Sequence, residues 1–210
     1  MKKLNKLFWA LAAPVAAILF TLIFVSIILL FKGANPLSTF QLIASYGSQS
    51  DNIVAELNQT VAYYLAGVAA AIGFKMLLFN IGIDGQYRLA IFIAAVVGGA
   101  THLPSYLEVP LIIFTGMVVG ALWAAISGYL KVKRNISEVI SNIMLNTIAS
   151  GLIIYLLQPS RLGLKGKSSD NLGTPMIPKS GWMPSFHIFG GELYSFGIVA
   201  IIVGVLYWIV

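Results

Sequence analysis

The chain of 210 residues contains no cysteine, which excludes a disulfide scaffold, thiol catalysis and a zinc–thiolate site. Charge is scarce too. Only 10% of residues are Asp, Glu, Lys or Arg, against about 25% in a soluble domain. The two histidines, His102 and His187, stand apart. Each lies beside a proline-containing loop with no partner at metal-ligand spacing, so both read as loop residues rather than ligands. A zincin pattern and a Gly-x-Ser-x-Gly nucleophile elbow are both missing. Enzymes built on these devices are therefore excluded.

What the sequence has in abundance is apolar length. Hydrophobic residues make up 59% of it, and a soluble fold of this size has too little polar material to form an outside. Long uncharged runs alternate with short charged segments, the signature of a polytopic helical membrane protein. Met1 to Lys6 is basic, and the apolar run from Leu7 to Phe31 is 25 residues long. A cleaved signal core is only about 7–15 residues, so this run reads as a retained first span. Thirteen Leu, Ile, Val or Phe residues lie between Val15 and Phe31. At about −0.3 to −0.6 kcal/mol each, they favour insertion by about 4–8 kcal/mol.

Further spans are expected at Leu57–Phe74, Leu89–Ala100, Val109–Leu130, Val139–Gln158 and Leu193–Val210. About 20 residues cross the hydrocarbon core at 1.5 Å rise each. The third of the six is therefore short or broken. The fold class is all-α, a single transmembrane bundle over residues 1–210, with residues 159–192 as an extracytoplasmic loop. With the N-terminus in the cytoplasm, eight basic residues fall inside (Lys2, Lys3, Lys6, Lys75, Arg88, Lys131, Lys133 and Arg134). Five fall outside (Lys32, Arg161, Lys165, Lys167 and Lys179), mostly in one long loop, where they count for less. The net charge of +6 is explained by these helix ends, and no groove-like basic–aromatic pattern points to nucleic acid. Trp9, Trp182 and Tyr194 are placed as interfacial anchors. The run after Leu193 reaches Val210 without a polar residue beyond Tyr207, so the natural protein is expected to continue.

Two polar segments interrupt this apolar background. In Phe79-Asn80-Ile81-Gly82-Ile83-Asp84-Gly85-Gln86, Gly82 and Gly85 free the backbone to turn or to approach another chain. Asn80, Asp84 and Gln86 bring hydrogen-bonding groups to the junction of spans two and three. Gly-interrupted segments of this kind often line a transport path; a cytoplasmic turn with an Asp84–Arg88 ion pair explains them equally well. In the segment Lys131–Asn146, Glu138, Asn142 and Asn146 recur every four residues and share one face of a helix. At membrane depth such groups must face protein or water, so they line a pathway or hold a neighbouring helix. Asn135-x-x-Glu138 also fits a capping box. Arg161 to Ser168 nearly spells a phosphate-binding loop, but Arg161 replaces the first glycine and no strand–helix frame surrounds it.

Together the two segments resemble the permease subunits of bacterial nucleoside ABC importers, within the ribose and branched-chain amino acid permease family. There the first motif commonly ends Glu-Gly-Gln, where this chain has Asp84, and the second has Ser-Thr, where this chain has Asn142. The resemblance covers Leu57 to Val210. It implies a multi-pass protein of the bacterial plasma membrane that forms half of a translocation pathway. The implied partners are a second permease subunit, cytoplasmic ABC ATPases that use the ATP, an extracytoplasmic substrate-binding lipoprotein and the lipid bilayer. No cofactor is implied in this chain itself. Asn80, Asp84, Gln86, Asn142 and Asn146 would line or support the pathway, with Gly82 and Gly85 letting the chain turn. A permease for a simple sugar such as ribose is the nearest alternative; a membrane-embedded enzyme and a passive channel are remote ones.

Overall fold

A computed structural model describes residues 2–165, 172–188 and 190–209, with the side chains of the first helix described from Ala12 onward. The side chains of Lys2, Lys3, Lys6 and Trp9, and the Gly166–Ser168 end of the near phosphate loop, lie outside the described residues. Seven helices dominate: α1 (Lys2–Phe31), α2 (Pro36–Gly47), α3 (Ser50–Lys75), α4 (Ile83–Ala100), α5 (Ser105–Arg134), α6 (Glu138–Leu156) and α7 (Phe196–Ile209). Between α6 and α7 run the short strands β1 (Leu164–Lys165) and β2 (Leu172–Gly173), a 3₁₀ turn (Lys179–Gly181), β3 (Ser185–Ile188) and β4 (Gly191–Tyr194). β1 pairs antiparallel with β2, and β3 with β4 forms a second two-stranded sheet. The expected loop is therefore patterned, and His187 lies in strand β3 rather than in a loop.

Among the described residues, four helices are long and apolar enough to cross a membrane, namely α1 from Ala12, α4, α5 and α6. The chain is a multi-pass helical membrane protein. Its apolar side chains point outward: Ile18, Phe20, Phe114, Met117, Ile154 and Ile201 are all more than half exposed. Its buried set includes Glu108, Ser127, Glu138, Ser141 and Asn142. That inside-out distribution suits a lipid solvent, in which exposed leucine is cheap and an exposed polar group is not. Helix hydroxyls follow the same rule. Thr21 and Ser26 donate to the carbonyls of Ala17 and Leu22 one turn back, at 2.8 and 2.7 Å.

The chain packs as two compact units, Met1–Glu56 with Phe189–Gly191, and Leu57–Ile188 with Glu192–Val210. In the first, α1 meets α2, a helix the sequence reading did not anticipate. Its start is locally encoded: Pro36 takes the first helical position, and Asn35 Oδ1 accepts from Leu37 and Ser38 N–H at 3.0 and 3.4 Å. The tip of the β3–β4 turn sits on the first turns of α3, where a Cβ on Gly191 would lie 2.9 Å from that of Val54.

In the second unit, contacts fix the helix directions. Gly116 and Gly120 of α5 face Ala94 and Ala90 of α4, so these two run antiparallel. Gly82 and Gly85 at the start of α4 meet Asn142 and Asn146 near the start of α6, so those run parallel. Gly197 lies against Val61, Gly204 against the Tyr64 hydroxyl, and Lys75 over the Tyr207 ring, so α7 runs parallel to α3. Successive helices from α4 to α6 therefore alternate in direction, as successive membrane crossings do. The third span is short, 18 residues, yet unbroken. Its helix begins at Ile83 rather than Leu89, so half of the first polar motif lies on it. The sixth is shortened at its start because Leu193 and Tyr194 belong to β4, which leaves 14 helical residues, about 21 Å of rise.

Candidate functional site

Both polar motifs lie at one end of the second unit, where α3 gives way to α4 and α5 to α6. Residues 76–82, between α3 and α4, are not helical, so their backbone groups need partners from elsewhere. The turn out of α3 places Leu77 at φ 56°, in the left-handed region that disfavours residues with a Cβ. Asn142 Nδ2 donates to the Phe79 carbonyl at 3.3 Å, and Asn146 Nδ2 donates to the Ile81 carbonyl at 3.1 Å. The Asn146 amide works in both directions, because its Oδ1 also accepts from Gly85 N–H at 2.9 Å.

This last bond explains the glycines. Gly82 is the N-cap residue of α4 and has no side chain with which to cap it. Gly85 is the third helical residue, whose N–H a capping side chain normally satisfies. Asn146 of α6 therefore caps α4 from outside. It can reach only because α4 comes close: a Cβ on Gly85 would lie 2.7 Å from Asn146 Oδ1 and 2.9 Å from its Cα. A Cβ on Gly82 would lie 2.5 Å from Asn142 Oδ1. Glycine is required at both positions for close approach. Asn142 is 1% exposed, and its Oδ1 is buried with no hydrogen-bond partner.

The other motif residues divide. Asn80 and Gln86 form a reciprocal amide pair, Gln86 Nε2 donating to Asn80 Oδ1 at 2.9 Å and Asn80 Nδ2 to Gln86 Oε1 at 3.3 Å. Asp84 pairs with Arg88 at 2.8 Å, both more than half exposed, and such exposed pairs contribute a few tenths of a kcal/mol. The expected capping box does not form. Asn135 instead closes α5 in the left-handed conformation (φ 52°), which asparagine tolerates well. Ser137 precedes α6 without a side-chain cap, and Glu138, now the first helical residue, meets Lys131 at 2.8 Å. Two residues before the helix are used up in ending its predecessor, so Glu138 cannot stand at the third helical position.

A cavity of about 740 Å³ lies beside this cluster among α3, α4 and α5. Its wall is mainly apolar and small-residued, with Asn58, Gln86, Tyr87 and Tyr194 as its hydrogen-bonding side chains. Of the five residues singled out for a pathway, only Gln86 reaches it. Asn58 was missed as a structural residue. Its amide treats β4 as a strand partner would, Nδ2 donating to the Glu192 carbonyl at 2.8 Å and Oδ1 accepting from Tyr194 N–H at 3.0 Å. Glu108 was missed altogether. It is fully buried at the α4–α5 end and accepts from the Thr101 hydroxyl and from Leu103 N–H, each at 2.6 Å. No spacing rule marks it. Its position next to a proline-started helix was the only available hint.

The geometry defines a helical membrane domain whose irregular connection is tied down by amides from a neighbouring helix, beside an intramembrane cavity. Residues 52–210 match the branched-chain amino acid transport system permease component family, and the chain belongs to that family. It is 32% identical over 154 residues to a guanosine ABC transporter permease of Bacillus subtilis, covering 70% of this chain and 42% of the relative. It is 35% identical over 138 residues to a nucleoside ABC transporter permease of Lactococcus lactis, covering 64% and 38%. A glucose ABC transporter permease of Haloferax volcanii is 30% identical over 159 residues, covering 75% and 42%. The chain thus spans about two-fifths of the length of these curated relatives. No solved structure matches it significantly.

Proposed function

We propose that this chain is part of the membrane subunit of an ATP-driven ABC importer for nucleosides and supplies half of its translocation pathway. The observation that carries this reading is the similarity to permeases named for guanosine and for nucleosides. ATP hydrolysis belongs to cytoplasmic ATPase partners, and substrate arrives from an extracytoplasmic binding lipoprotein. A second permease subunit completes the path. Nucleotide-driven changes in those partners would shift the helices between inward- and outward-facing states, and only differential binding to the two states can drive the cycle. The basic residues Lys75, Lys131, Lys133 and Arg134 support a cytoplasmic side for the α3–α4 and α5–α6 connections in this reading, in a bacterial plasma membrane.

Within that path we assign Asn142 and Asn146 to supporting the 76–85 segment, Asn80 to orienting Gln86, and Gln86 to the pathway itself. Asp84 belongs to the exposed surface pair. A simple-sugar permease is the second reading, favoured by the glucose permease relative. Uptake of labelled guanosine, uridine, ribose and glucose into vesicles holding the full-length complex separates the two. ATP-dependent and binding-protein-dependent uptake of nucleosides is expected. Uptake of sugars alone would sink the nucleoside assignment, and uptake independent of ATP would point to a passive channel.

A further inference from the structure

We propose that the ends of α3 and α5 form a seat for an anionic phospholipid, its phosphate held by Lys133 and Arg134 and its acyl chains laid against Met76, Leu77 and Val132. The seat rests on the membrane embedding and the cytoplasmic side given above, and it holds whatever substrate is carried. α3 and α5 stop at the same end of their unit. Both stop through a residue in the left-handed region, Leu77 at φ 56° and Asn135 at φ 52°. Asparagine tolerates that conformation and leucine does not. Leu77 is nonetheless 84% exposed, so no packing within the chain accounts for a strained leucine there.

Depth decides what can reach these residues. Asn142 and Asn146 stand four and eight residues beyond Glu138, the first residue of α6, about 6 and 12 Å along its axis. They hold the carbonyls of Phe79 and Ile81. The connection after α3 therefore folds back along α6 instead of projecting past the helix ends. Met76 and Leu77, which lead into it, are 65% and 84% exposed, and Val132 in the last turn of α5 is 77% exposed. Apolar side chains at that level meet the boundary between headgroups and acyl chains. A soluble partner meets only what extends beyond it.

Charge selects the headgroup. Lys131 is engaged by Glu138 at 2.8 Å, Arg88 by Asp84 at 2.8 Å, and Lys75 lies over the Tyr207 ring. Lys133 and Arg134 are exposed and have no carboxylate partner among the described residues. They follow Val132 directly, so two cations adjoin an apolar side chain at the end of a span. A phosphate accepts hydrogen bonds from a guanidinium fork and from an ammonium, and the chains below it cover the apolar side chains. A zwitterionic lipid brings a cation of its own, which offsets the attraction. An anionic headgroup does not, and basic clusters at the cytoplasmic end of a span favour it for that reason.

The cysteine-free sequence makes a direct test possible. Val132→Cys carries a bimane label in the full-length complex, held in lipid nanodiscs with other cysteines replaced. Quenching is compared between spin-labelled phosphatidylglycerol and spin-labelled phosphatidylcholine at equal mole fraction. Each basic group near a leaflet contributes about fivefold, so phosphatidylglycerol is expected to associate at least about tenfold more strongly. Lys133→Gln with Arg134→Gln should abolish that preference, and a label at Phe114→Cys, in the middle of α5, should show none. Leu77→Asn suits the left-handed position but removes the apolar group. It should weaken the association of both lipids about threefold without lowering the midpoint of unfolding; unchanged association removes Leu77 from the seat. Equal quenching by the two lipids overturns the anionic seat, and a preference that survives the double substitution overturns its assignment to Lys133 and Arg134. Quenching by neither lipid shows a face covered by the ATPase or open to the cytoplasm, which overturns the proposal. Competition by soluble glycerol phosphate shows a site for free phosphate and overturns it too. Nucleoside uptake in vesicles of the same complex is a separate readout, so its loss bears on the transport reading and not on the lipid.

Discussion

Where α3 turns into α4, seven non-helical residues are tied down by neutral amides reaching across from α6. Where α4 turns into α5, the shorter connection is tied by a carboxylate from its own downstream helix, with both Glu108 oxygens engaged by Thr101 and Leu103. The difference follows from reach. A carboxylate only accepts, so it can satisfy N–H and O–H groups but no carbonyl. The longer connection exposes the carbonyls of Phe79 and Ile81 as well as the N–H of Gly85, and an amide can serve both kinds. Asn58 repeats the solution against β4. In each case an asparagine on a regular helix completes backbone that is not regular.

Gly85→Leu is expected to disturb this arrangement most, since its side chain would occupy the space of Asn146 and force α4 from α6. Overpacking of this kind costs up to about 3 kcal/mol or more, read as a lower midpoint of unfolding in mixed micelles. Asn146→Ala removes two bonds and leaves the buried Gly85 N–H without its acceptor, for a loss of about 1–3 kcal/mol. Asn142→Ala removes a single, longer bond, and its Oδ1 is already unpartnered, so about 1 kcal/mol is expected; a loss equal to that of Asn146→Ala would erase the distinction between them. At the opposite end, Glu108→Gln keeps the shape but puts an NH₂ where an acceptor is needed. It should cost about 1–2 kcal/mol, and a null result would show that the two ends do not differ in chemistry. The smallest effect goes the other way. Leu77→Gly relieves the left-handed leucine and should stabilise by up to about 1 kcal/mol.

Most of the fold was legible because lipid imposes a simple rule on sequence: apolar length reads as a span, and interruption reads as an end. The spans were misplaced where another signal competed. The expected start of the third span at Leu89 was late because Asp84, Gln86 and Arg88 looked like loop residues, whereas Gly82 and Asn146 together start the helix earlier. The sixth was taken to start too early, because Leu193 and Tyr194 are apolar enough for a helix but pair in a strand. α2 was overlooked although Asn35-Pro36 is a start signal, since its 12 residues are too few to register as a crossing. The polar face of Glu138, Asn142 and Asn146 was visible from its period of four. That period could not say which partners the face meets, because partner choice is set by the path of a distant irregular segment. Glu108 shows the limit most clearly: a single acid in a helix's first turn looks like surface until its neighbours close over it.

Because a residue of α6 finishes the first turn of α4, neither helix can slide along the other without stripping the Gly85 amide of its acceptor deep inside the protein. The pair therefore travels as a single rigid piece. A transport cycle of the kind proposed would have to find its moving seam somewhere other than between α4 and α6.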